Sequence, residues 1–215
     1  MTTAKLVSLA LLLTACAPTP SPPSAPVIVA TPPAPALATW DGALVFDGVK
    51  LGSPIGALLA RAPYDTPCDV DPIDKKTATL FFWAGGRCRE APAFPAATTL
   101  VILTPRATDA ARGEQPVTLV AWAGGTYFDD RTSLPIRIGD AAEHARRLLG
   151  APTATKQSDD SSTFSWGSVH ALVIADKIAA LAMGDLDIKA GGERAETLER
   201  LHHHHLRYAK RAGVR

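Results

Sequence analysis

The chain has 215 residues, with 22 Lys+Arg against 21 Asp+Glu and a net charge of +1. A balance this even supplies no basic field for nucleic acid, so that class of partner is set aside. Three cysteines and 18 prolines are placed unevenly, and their positions organise the reading that follows.

Residues 1–15 have the layout of an export signal. Lys5 and the amino terminus supply positive charge, residues 6–13 supply a mostly apolar core, and Thr14 and Ala15 are small. That core is shorter than the roughly 20 residues a membrane-spanning helix needs. The run Leu13-Thr14-Ala15-Cys16 resembles the signal of bacterial lipoproteins. The resemblance implies cleavage before Cys16, a lipid thioether on its sulfur, and acylation (palmitate, for example) of the new amino group. Several acyl chains, at about 0.8 kcal/mol per buried CH2, anchor a protein stably. Ala17 stands where Asp marks retention in the inner membrane, which implies the inner leaflet of an outer membrane, facing the periplasm. The competing reading is an ordinary signal peptide with a coincidental cysteine. Removal of Lys5 leaves 21 basic against 21 acidic residues.

Residues 16–39 hold the lipidated cysteine and a tether rich in Pro, Ala, Ser and Thr. Proline removes backbone donors and favours extended polyproline II, so this stretch builds no core and acts as a spacer. The other two cysteines, Cys68 and Cys88, are an even pair that reads as a disulfide in an oxidising compartment, worth about 3 kcal/mol for a loop of this size. Two buried free thiols, or half of a metal site, are the alternatives. Neither cysteine has a C-x-x-C partner or a nearby histidine.

Residues 40–188 form the globular part. Val49-Lys50-Leu51-Gly52-Ser53-Pro54 echoes Ile136-Arg137-Ile138-Gly139-Asp140-Ala141, and Leu58-Leu59 before Ala62-Pro63 echoes Leu148-Leu149 before Ala151-Pro152. Each copy predicts a short helix, capped at its start by Ser53 or Asp140, with Pro54 at the first helical position and Gly150 closing the second helix. Strand-like runs follow at 78–83, 98–104 and 117–122, then at 163–166, 169–175 and 178–183. Gly85-Gly86, Gly124-Gly125 and Asp176-Lys177 mark turns. The expectation is an α+β fold: two similar helix-plus-three-strand modules, at about 40–131 and 132–188, forming antiparallel sheet.

Leu149-Gly150-Ala151-Pro152, followed by Ser158-Asp159-Asp160-Ser161 and Phe164-Ser165-Trp166, resembles the β-lactamase-inhibitor-protein-like family and the related small outer-membrane lipoproteins of barrel-assembly machinery. The second module carries the match. In the first, Arg61-Ala62-Pro63 stands where the pattern has Leu-Gly-x-Pro. The resemblance implies a fold and a binding style rather than a reaction.

No nucleophile elbow, zinc-protease helix, phosphate loop or dinucleotide fingerprint occurs. His144 falls on the polar side of the second helix. His170 shares a strand face with Leu172 and Ile174 and reads as a structural histidine. Asp69, Asp71 and Asp74 lack the spacing and acidic end residue of a calcium loop and read as a polar loop, with weak calcium binding as the alternative. No catalytic residue is assigned, and the chain is read as a non-enzyme. Trp83, Trp122, Tyr127, Phe128 and Trp166 are either core residues or anchors for a protein partner.

Residues 189–215 follow a Gly191-Gly192 hinge and read as a histidine-rich amphipathic helix from 193 to 212, with Leu198, Leu201, His205 and Tyr208 on one face. Within His202-His203-His204-His205, His202 and His205 are three apart, and Glu199 lies one turn earlier. That trio fits weak binding of a divalent transition metal such as zinc, copper or nickel. The alternatives are a solvated run and a basic patch that gains charge in mild acid. No cofactor is otherwise implied. The function expected is a non-enzymatic scaffold that binds another envelope protein, with an inhibitor of a periplasmic enzyme or a metal-binding lipoprotein as alternatives.

Overall fold

The computed structural model describes residues 42–74, 78–84, 98–186 and 196–211. The signal, Cys16, the tether, Cys88 and the Gly85-Gly86 and Gly191-Gly192 signals lie outside the described residues. Two short strands, β1 (Val45–Phe46) and β2 (Val49–Lys50), form a hairpin. Asp47 and Gly48 both have positive φ there, the requirement of a two-residue hairpin turn that follows strand twist. A single helical turn follows, α1 (Gly56–Leu59), then β3 (Asp69–Asp74), β4 (Ala78–Ala84), β5 (Thr99–Pro105) and β6 (Leu119–Ala123). The second half runs α2 (Ala142–Leu149), β7 (Ala154–Gln157), β8 (Ser162–Trp166), β9 (Val169–Ile174) and β10 (Lys177–Gly184), and the chain continues to α3 (Thr197–Arg211).

Eight strands make one antiparallel sheet in the order β3-β4-β5-β6-β10-β9-β8-β7. Two four-stranded meanders therefore meet where β6 pairs with β10, with Trp122 opposite Leu181. The fold is α+β. α1 and α2 are each followed by four strands, not the three expected from sequence. The two strands beyond expectation, β3 and β7, are the sheet's outer edges. Edge strands carry no continuous apolar run: β3 reads Asp-Val-Asp-Pro-Ile-Asp and β7 reads Ala-Thr-Lys-Gln.

The inner strands are apolar on both faces because both faces are covered. Alternation along each strand sends neighbours to opposite sides. Phe81, Trp83, Leu100, Ile102, Val120 and Trp122 join one core with Phe46, Ile55, Leu58, Tyr64, Phe128 and Ile136. Phe82, Val101, Leu103, Leu119, Leu172 and the alanines 121, 123, 180 and 182 face Leu198 and Leu201 of α3. Alanine on the two central strands leaves room for a helix to seat closely.

Beyond Leu198 and Leu201, α3 touches both flanks of the sheet. Glu199 Oε1 accepts from Ser158 Oγ at 2.8 Å and lies 3.6 Å from Lys156 Nζ on β7, while the His204 ring meets Phe82 on β4 at 5.6 Å. In a flat sheet β4 and β7 would lie about 29 Å apart, given a strand spacing of about 4.8 Å. A helix is only about 10–12 Å across, so the sheet curls around α3.

The expected caps differ. α1 begins after Ile55 and α2 after Ala141, and neither has a side-chain cap. Asp140 turns backward, and its Oδ2 accepts from the Arg137 N–H at 2.8 Å. Pro54 forms an isolated bridge with Pro116, and the Ile55 N–H donates to Gln115 O at 2.9 Å. That pairing draws the Ser53-Pro54 segment out of the helix it was expected to start. Gly150 does close α2, at φ +83 with its N–H on Arg146 O. The β9–β10 turn is Ala175-Asp176, one residue before the expected link, with φ of 47° and 61°.

Candidate functional site: a polar cleft at the sheet end

Where β10 ends and β8 turns into β9, the curled sheet leaves a cleft of about 640 Å³. Thr118 precedes β6, Thr153 precedes β7, Gly167 and Ser168 form the β8–β9 turn, and Gly184-Asp185-Leu186 leaves β10; all of them line it. Leu51, Pro116 and Val117 add an apolar wall. A concavity of this size with converging polar groups is a candidate ligand site.

Its innermost polar pair is Ser165 and His170, each 4% exposed. They are cross-strand partners on β8 and β9. His170 Nε2 is 2.9 Å from Gly184 O, and Nδ1 is 2.7 Å from Ser165 Oγ. A carbonyl only accepts, so the proton sits on Nε2, and Nδ1 accepts from the serine hydroxyl. Burial lowers the His170 pKa from its ordinary value, with the Gly184 carbonyl and Asp185 opposing that shift. The imidazole is neutral, with both nitrogens bonded. Thr153 braces the same corner: its Oγ1 donates to Ser165 O at 3.0 Å and accepts from the Gly167 N–H at 3.2 Å.

Gly184 makes this geometry possible. Its φ is +122°, and a Cβ there would lie 2.1 Å from Thr118 O. With no side chain, β10 passes against residue 118, and the Asp185 N–H donates to Thr118 O at 2.9 Å. Asp185 is exposed at the cleft, the one carboxylate among the described residues that line it. Chemically the cleft offers hydroxyls, backbone groups and this negative charge, a set that hydrogen-bonds a polar or basic guest.

The residues expected to act are distributed elsewhere. Trp83, Trp122 and Phe128 have no exposed surface and Trp166 is 9% exposed, so these four are core. Only Tyr127 is half-buried, with the Arg131 guanidinium 3.8 Å over its ring. Trp122 Nε1 donates to Asp129 Oδ1, and Trp166 Nε1 to Gly150 O. Cys68 is disulfide-bonded, and its oxidised Sγ accepts from the Ala84 N–H at 3.5 Å; Cys88 lies outside the described residues. The side chains of Asp69, Asp71, Asp74 and Tyr208 do too. Glu199 is engaged by Ser158 and Lys156. Among the described residues no group of three or more His, Cys, Asp or Glu side chains is placed to hold a metal.

Sequence reading placed His170 as structural but missed Ser165, Thr153, Ser168 and Asp185 as neighbours. Period-two spacing of Ser165 with Thr163 across from His170 was the available signal; the register needed to use it was not.

No protein family matches the chain, and no curated protein does. Among solved structures, a cysteine-rich secretory protein from Staphylococcus aureus is similar at 12% identity with a TM-score of 0.41, over 67% of this chain and 48% of that one. The chain thus spans about half the length of that protein. No helix among the described residues is long and apolar enough to cross a membrane.

Proposed function

We propose that this is a lipid-anchored envelope protein that binds another envelope protein without catalysing a reaction, using the cleft beside His170 as its contact site. The cleft is the observation that carries this reading. Its hydroxyls and backbone groups are fixed by the Ser165–His170–Gly184 bonds, and Asp185 lies exposed beside them. Preorganised polar groups of this kind lose little freedom on binding. The anchor reading rests on the lipoprotein-like run ending in Cys16, and the proline-rich stretch after it would extend the folded part from a membrane surface. The paired meanders are what supports the tandem-module, inhibitor-like kinship.

Two experiments test the two halves. Metabolic labelling with a palmitate analogue should mark the wild-type chain and not Cys16→Ser; equal labelling removes the anchor. A photo-crosslinking side chain at Thr153 or Asp185 should give a discrete adduct in the native envelope, and one at Glu143, on the exposed face of α2, should not. Absence of cleft-specific adducts overturns the binding site. An adduct with assembly or cell-wall machinery identifies a scaffold. An adduct with a hydrolase whose activity falls on binding identifies an inhibitor.

A further inference from the structure

The four consecutive histidines of α3 fall into two kinds. His203 is exposed, and His204 lies edge-on to Phe82. His202 and His205 are half-buried, with ring centroids 6.3 Å apart and planes inclined at 38°. The Nδ1 atoms of both are sealed from solvent, and neither has a hydrogen-bond partner among the described residues. A buried polar atom without a partner is costly and calls for an explanation, an ion being one. Here two occur three residues apart on a helix pinned to the sheet by fully buried Leu198 and Leu201.

We propose that His202 and His205 form a two-imidazole site for a soft, singly charged d10 cation, copper(I) being the biological example. The ligand set decides the class. Glu199 is held by Ser158 and Lys156, so the trio expected from sequence reduces to a pair, and no third described side chain joins it. Structural zinc takes four ligands, and calcium and magnesium take oxygens, whereas imidazole suits copper. A singly charged d10 ion needs less neutralisation and is satisfied by two strong nitrogen donors. The separation agrees. With metal–nitrogen bonds of about 2.0 Å the metal lies about 3.2 Å from each ring centre, so opposed rings stand about 6.4 Å apart and a tetrahedral pair about 5.2 Å.

The test uses silver(I), a redox-inert ion of the same charge and preference, so that no reductant touches the disulfide at Cys68. The full chain carries Cys16→Ser to remove a competing thiol. Calorimetric titration should give one tight equivalent. His202→Gln/His205→Gln should weaken it by about tenfold or more, and His203→Gln/His204→Gln by less than about threefold. Circular dichroism checks that α3 remains helical; if the first double variant unfolds it, His205→Gln alone must show the tenfold loss. Equal losses from the two double variants, or no stoichiometric binding by the parent, overturn the site.

Discussion

Ser165 Oγ lies 2.7 Å from His170 Nδ1, and His170 Nε2 lies 2.9 Å from Gly184 O. Three strands are therefore tied through one imidazole, because Ser165, His170 and Gly184 belong to β8, β9 and β10. Ser165→Ala removes the donor and leaves Nδ1 buried without a partner. The expected loss is about 1–3 kcal/mol of unfolding free energy, read from urea denaturation at pH 7.5. Unchanged stability would show that Nδ1 finds another donor in the cleft.

The same histidine sets a pH dependence. Its folded pKa is lowered by burial, so the unfolded chain takes up a proton first as pH falls. Stability is full above the ordinary histidine pKa of about 6.5 and declines as pH drops below it towards the folded value. His202 and His205 are shifted in the same direction and add to the decline. Denaturation midpoints at pH 7.5, 6.5 and 5.5 should fall in that order. His170→Gln should reduce the slope, and a slope unaltered by that change would place the proton uptake elsewhere.

Asp129 anchors the first core. It is 3% exposed, with Oδ1 accepting from Trp122 Nε1 at 2.9 Å and Oδ2 from the Ile138 N–H at 3.0 Å. Asparagine has one acceptor for two donors, so Asp129→Asn must turn an amide N–H towards another N–H. A loss of about 2–3 kcal/mol is expected, with a change in the near-ultraviolet dichroism of Trp122. A silent variant would mean the 129–138 segment can repack.

Two glycines separate strain from collision. At Gly150 the φ is +83° and a Cβ meets nothing within 4 Å; at Gly184 a Cβ meets Thr118 O at 2.1 Å. Gly150 has ψ −166°, a backbone region that essentially only glycine occupies, so Gly150→Ala should cost about 1–3 kcal/mol. Gly184→Ala should cost more than about 4 kcal/mol, in the range reserved for disrupted cores. Thermal unfolding of the two variants side by side reads the difference, and equal shifts would refute the close approach of β10 to Thr118.

Periodicity and turn chemistry carried much of the fold. The apolar runs at 78–83, 98–104 and 117–122 lie on β4, β5 and β6, and Gly150 ends α2 as its position predicts. Residue order by itself determined the α+β class, the inner strands, the C-terminal helix and the histidine run on it, because those depend on local spacing within a few residues. It could not supply the edge strands β3 and β7, whose short polar sequences become strands only when a neighbouring strand offers a ladder. Ser165, His170, Gly184 and Thr118 became one corner only through the β6–β10 and β8–β9–β10 registers. In the same way, Glu199 was spaced to join His202, but the curl of the sheet brought Lys156 and Ser158 to it instead. Local spacing fixes which residues share a face; which face they meet is set by long-range pairing, and only the tertiary structure decides that.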